Sequence, residues 1–170
     1  MYISGVRQRA ASKTAPMFQE NRQFRPRVLV LHTGDSVRFE NRDYFDHSVF
    51  SNSGANTFAL DKSPKGVTGT RSFNTAGAVR IQCDIHSTMR ADVLVLENAY
   101  FGEADAAGKW RISGLPEGKY TLVAWEPNGG KVTRQVSACD GPVSLELAEK
   151  VTPEQRRKSG DPYTREYDSP

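Results

Sequence analysis

A chain of 170 residues, 37% hydrophobic and carrying 14 Gly and 9 Pro, suits one large domain or two small ones made of short strands between frequent turns. It has no apolar run of the roughly 18 residues that a membrane-spanning helix needs. The formal net charge of +3 is mild, and the cations Arg7, Arg9, Lys13, Arg22, Arg25 and Arg27 are scattered without interleaved aromatics, so nucleic acid is not an expected partner.

Residues 1–16 read as a flexible basic arm. They lack the apolar stretch of roughly 7–15 residues that a secretion signal carries. A removed signal, a start further upstream and a cytosolic protein all fit that observation.

From Met17 to Glu97 strand follows strand. Phe24–Val30 is extended, and Thr33-Gly34-Asp35 is a turn. Ser36–Asn41 alternates cleanly, with Val37 and Phe39 inward. His47–Ser51 is the next strand. Residues 52–70 hold several Gly, Ser, Asn and Pro and read as loop, with a short edge strand near Phe58. Thr70–Asn74 is expected to pair with Ala78–Cys83 across a Thr-Ala-Gly turn, and Ala91–Leu96 to close the sheet.

A second β pattern runs from Asn98 to Lys150. Trp110-Arg111-Ile112, Lys119–Trp125, Lys131–Val136 and Val143–Leu147 read as strands of a small sandwich, with Trp110, Tyr120 and Trp125 in its core. Residues 151–170 lack aliphatic periodicity and read as a mobile tail.

The stretch with the most chemistry is Cys83-Asp84-Ile85-His86-Ser87-Thr88-Met89. It places a thiolate, an imidazole and a thioether on one short loop, with His47 upstream on a separate strand. One Cys, two His and one Met are the donor set of a mononuclear type 1 copper site, in which Cys and two His form a trigonal plane under a weak axial Met. The candidate ligands are therefore His47, Cys83, His86 and Met89. Zinc competes for a Cys-His-His set, whereas magnesium and calcium are disfavoured by soft donors. Cys83 also reads as a buried thiol or as half of a disulfide with Cys139, and Met89 as a core filler. His32, at a strand end, reads as solvated.

Residues 17–97 resemble the cupredoxin family. The carriers are the Phe-Arg-Pro strand, Gly34–Asn41, Asp46-His47-Ser48-Val49, Phe73 with Gly77, and the Cys-x2-His-x2-Met loop before a final strand. The loop's shortness is most similar to amicyanin. Residues 98–150 resemble carboxypeptidase-regulatory or transthyretin-like domains through Asp105–Trp110, Leu115–Tyr120 and Val123-Ala124-Trp125. The order of the two modules is similar to bacterial plastocyanin-like proteins associated with methylamine utilisation.

The resemblance implies an all-β chain, a cupredoxin-type Greek-key β-sandwich plus a second small β-sandwich. It also implies one copper per chain and a site outside the cytoplasm, in the periplasm or secreted. Ser48 stands where relatives carry Asn, and Asp84 where they carry Ser or Thr, so the two are expected to face each other and tie the ligand loops. The negative charge of Asp84 would then favour Cu(II). Ile85 and Met89 are the expected docking patch beside His86.

Three function classes compete. A single-electron carrier between larger redox proteins fits a site filled by four side chains. A copper enzyme would need further histidines, and the chain has only three, so enzymatic activity is not expected. A copper-delivery or protein-interaction module is the alternative. Self-association through exposed strand edges is compatible with any of these.

Overall fold

The computed structural model describes residues 1–7, 11–138, 141–147 and 158–159. The backbone divides into two compact units. The larger comprises residues 11–96 and 154–170, and the smaller residues 1–10 and 97–153.

The larger unit is built from two sheets. One contains β2 (Thr14–Glu20), β3 (Gln23–Arg25), β5 (Ser36–Asn41) and β8 (Gly66–Ser72), in the order β3-β2-β5-β8. The other contains β4 (Val28–His32), β6 (His47–Ser51), β7 (Phe58–Ser63), β9 (Gly77–Gln82) and β10 (Arg90–Leu96), in the order β4-β10-β9-β6-β7. Met17, Val37 and Phe39 from the first sheet and Leu31, Val49, Val79, Ile81, Val93 and Val95 from the second share one buried core with Phe24 and Phe73. The alternation of β5 is borne out, since Val37 and Phe39 are both fully buried.

Three strand expectations are corrected. The single extended segment 24–30 divides at Pro26, so that β3 joins one sheet and β4 the other. A residue without an N–H breaks the ladder where the chain changes sheets. Residues 52–70 are not mainly loop, because they supply β7 and most of β8. Edge strands tolerate the polar and Gly-rich composition that suggested a loop. Finally, β8 pairs with β5, and β9 with β10 and β6, so the turn before Gly77 links two sheets and closes no hairpin.

The smaller unit holds a three-stranded antiparallel sheet in the order β1-β11-β12, from β1 (Tyr2–Ser4), β11 (Lys119–Glu126) and β12 (Gly130–Ser137). Ile3, Leu122, Val123 and Ala124 are its buried hydrophobics. Trp110, Tyr120 and Trp125, expected in the core, are only half-buried. Residues 110–112 and 143–147 are irregular rather than stranded.

The flexible arm expected over residues 1–16 is also corrected. Tyr2–Ser4 pairs with Thr121–Val123, and Thr14–Glu20 pairs in parallel with Ser36–Asn41. The central strand β11 leaves backbone groups to satisfy on both sides, and β1 satisfies one of them. Asn98 adds to this by donating its side-chain amide to the Ile3 and Val6 carbonyls at 2.9 and 2.8 Å. Of the expected tail 151–170, all but Lys158 and Ser159 lie outside the described residues.

Candidate metal centre

Three strands bring the predicted ligands together. Antiparallel β9 and β10 pair up to Gln82↔Arg90, leaving 83–89 as the loop between them. The loop closes on itself, with the Cys83 N–H donating to the Met89 carbonyl at 3.3 Å and the Met89 N–H to the His86 carbonyl at 3.1 Å. Strand β6 pairs with β9 through Phe50↔Gln82, so His47 at its start reaches the same end of the sandwich.

The Cys83 Sγ lies 4.0 Å from His47 Nδ1 and 3.8 Å from His86 Nδ1. The three donor atoms lie within 4.8 Å of one another. A first-row ion with metal–sulfur and metal–nitrogen bonds of about 2.3 and 2.0 Å in a trigonal plane requires sulfur–nitrogen separations of about 3.7 Å. The side chains therefore fit one such ion with little movement, and a thiolate with two imidazoles is a donor set that could hold one copper. His47 and Cys83 are buried, whereas His86 is partly exposed. Met89 is fully buried in the cluster that contains Cys83. Cys139, the other half of the disulfide that the sequence leaves open, lies outside the described residues.

Burial pushes the Cys83 thiol up, but the hydrogen bonds from His47 and from the backbone at Ser48, Ile85 and His86 outweigh it, so its pKa falls below the ordinary value. Burial likewise pulls His47 down, and its bonds to Cys83 and Asp43 more than reverse this.

Asp43 is the residue that sequence reasoning missed. Its Oδ2 lies 2.8 Å from His47 Nε2, which turns Nδ1 towards the sulfur. A carboxylate behind a metal-binding imidazole fixes the tautomer and strengthens the donor. The same carboxylate accepts the N–H groups of Asn21 (2.8 Å) and Arg22 (3.0 Å). These two residues have φ of 54° each and form the two-residue turn of the β2–β3 hairpin. The available signal was the four-residue spacing to His47, but Asp46 competes for the same role in the sequence.

The expected link between Ser48 and Asp84 is present in a different form. The Asp84 backbone N–H donates to Ser48 Oγ at 2.8 Å, and that hydroxyl lies 3.8 Å from the Cys83 Sγ. The Asp84 carboxylate instead accepts the Lys158 N–H at 2.8 Å. The expected docking pair is corrected as well: Met89 is buried and Ile85 is half-buried against the core. The ring exposed beside the histidines is Phe45, edge-on to His47 and His86 at centroid distances of 5.2 and 5.7 Å. His32 is half-buried rather than solvated, and its N–H donates to Asp35 at 2.9 Å.

The larger unit is a β-sandwich of two sheets around one buried core. No family model matches the chain, and no curated protein matches it. Among solved structures, a copper-containing nitrite reductase (NirK) from Thermus scotoductus SA-01 is 24% identical over 51% of this chain, with a TM-score of 0.48. This chain spans only 23% of that protein. A reduced single-site variant of amicyanin is 22% identical, covering 49% of this chain and 82% of its own, with a TM-score of 0.46. A second variant, in the Cu(I) form, is 22% identical over 51% of this chain and 86% of its own, at 0.47. Among the described residues no helix is long and apolar enough to cross a membrane.

Proposed function

We propose that this chain is a mononuclear type 1 copper protein that carries single electrons between larger redox proteins outside the cytoplasm, and that it is not an enzyme. The carrying observation is one buried cysteine sulfur with two imidazole Nδ1 atoms at 3.8 and 4.0 Å. In this reading His47, Cys83, His86 and Met89 would hold the copper. Copper, when bound, supplies a one-electron Cu(I)/Cu(II) couple.

The protein's own residues keep the change between the two states small. The Asp43–His47 bond and the Ser48 link would hold the donors in one arrangement for both oxidation states. With four side chains on the metal, no position is left for a substrate.

Voltammetry of the copper-loaded chain tests the reading. A reversible one-electron wave that persists over repeated cycles is expected. Loss of metal on reduction, with transfer to a Cu(I) chelator, would instead identify a delivery protein.

A further inference from the structure

We propose that Tyr44 and Phe45, with Arg22 and Lys65 laid against their rings, form the surface on which an acidic redox protein docks. This rests on the electron-carrier reading and adds the place and the chemistry of the partner.

Among the described residues the exposed large hydrophobics are Val28, Tyr44 and Phe45. Two of them are consecutive, and Tyr44 is 90% exposed. Phe45 is 41% exposed while its ring touches both imidazoles. One side chain therefore meets solvent and both candidate ligands at once. A partner seated on Phe45 stands one ring away from the site.

The charge around these rings is cationic. The Arg22 guanidinium carbon sits 5.3 Å from the centre of the Phe45 ring, and the Lys65 ammonium 4.0 Å from that of Tyr44. Among the described residues no carboxylate forms an ion pair with Arg22 or Lys65. Arg42 is engaged with Glu40 and lies over Phe18. On the acidic side, Asp43 is buried and occupied by His47 and the Asn21–Arg22 turn. Asp46 is the exposed acid of the loop.

The loop is also held in place. The Asn41 side-chain amide donates to the Phe45 and Ser63 carbonyls at 2.8 and 3.0 Å, and Asp43 fixes the turn that presents Arg22. A rigid aromatic centre lowers the ordering cost of association, and flanking cations speed encounter with an acidic face. In the encounter one electron passes from the reduced partner to the oxidised site, or from the reduced site to an oxidised partner. No bond forms or breaks.

The test uses the full chain and polyglutamate as an acidic polypeptide probe. The metal-free protein is titrated at low ionic strength, and backbone amide shifts are followed by NMR. Shifts concentrated at residues 22, 44–46 and 65 are expected. The Arg22→Glu/Lys65→Glu variant should bind about tenfold more weakly, and polylysine should move none of these amides. In the copper-loaded chain, polyglutamate should slow oxidation by hexacyanoferrate(III) several-fold, but not in the double variant. Shifts mapped elsewhere, or unchanged binding by the double variant, would overturn the proposal. So would anionic phospholipid vesicles that bind through these residues more tightly than polyglutamate. If the amide map holds but no reversible copper couple exists, the electron-carrier reading fails and the acidic-partner surface stands.

Discussion

Asp43 grips His47 from behind at 2.8 Å, and with its other contacts holds the Asn21–Arg22 turn. One buried carboxylate thus couples a hairpin of one sheet to a metal-ligand candidate on the other. Replacing it with Asn keeps the size but lowers the charge and the acceptor strength. Asp43→Asn should weaken copper affinity by about 10–100-fold and destabilise the metal-free protein by about 1–3 kcal/mol. Chelator competition and denaturant unfolding measure the two effects.

The same pair sets a pH window in the metal-free protein. Burial raises the Asp43 pKa, but the Arg22, His47 and Asn21 hydrogen bonds bring it below its ordinary 3.8. Its stabilisation is therefore present above about 3.8 and is lost as pH falls through the lower folded value. His47 is raised above its ordinary 6.5, so its contribution is complete below 6.5 and is lost as pH rises through the folded value. The stability difference between the parent and Asp43→Asn should peak between about pH 4 and 6.5 and shrink on either side. A flat difference from pH 3 to 9 would contradict the pairing.

The cluster of His47, Cys83 and His86 was legible in the sequence because Cys-x2-His fixes a loop and the alternation of Val37 and Phe39 fixes a sandwich. Asp43 was not legible, since two acids bracket Tyr44-Phe45 and only the loop's closure through Asn41 selects one of them. Strand β1 was missed for another reason. Its partner Leu122 is far along the chain, and a three-residue strand has too little periodicity to announce a long-range pairing. The false hairpin across residues 75–77 has the same origin, because alternation tells which face is buried but not which strand lies alongside.

Strand β1 carries a prediction of its own. Ile3 is buried in the small sheet. Ile3→Ala should cost about 2–4 kcal/mol in the stability of that unit, with the copper spectrum unchanged. Unfolding followed by tryptophan fluorescence reports the first effect, since both tryptophans, Trp110 and Trp125, belong to that unit.

Ser48 and Asp84 separate a backbone effect from a charge effect. The Ser48 hydroxyl accepts from the Asp84 N–H, which leaves its own proton to donate towards the Cys83 sulfur. Such a bond favours the reduced site, where the sulfur carries more charge. Ser48→Ala should lower the reduction potential and cost about 1–3 kcal/mol by orphaning the amide. Asp84→Asn keeps the amide bond and removes a negative charge, so the potential should rise. Equal potentials in all three proteins would sink this account.

Met89 is fully buried, so Met89→Leu should cost less than about 1.5 kcal/mol. If the thioether is the axial donor, this change removes a ligand that favours Cu(II). The potential should rise while the thiolate colour persists. An unchanged potential would make Met89 a core residue alone.

The most direct measurement is titration of the metal-free chain with Cu(II), followed by visible absorption and electron paramagnetic resonance. One equivalent should produce an intense thiolate-to-copper band and a narrow copper hyperfine splitting, both absent from Cys83→Ser. A colourless complex with ordinary type 2 signals, or selective uptake of zinc, would show that His47, Cys83, His86 and Met89 do not act as one copper site.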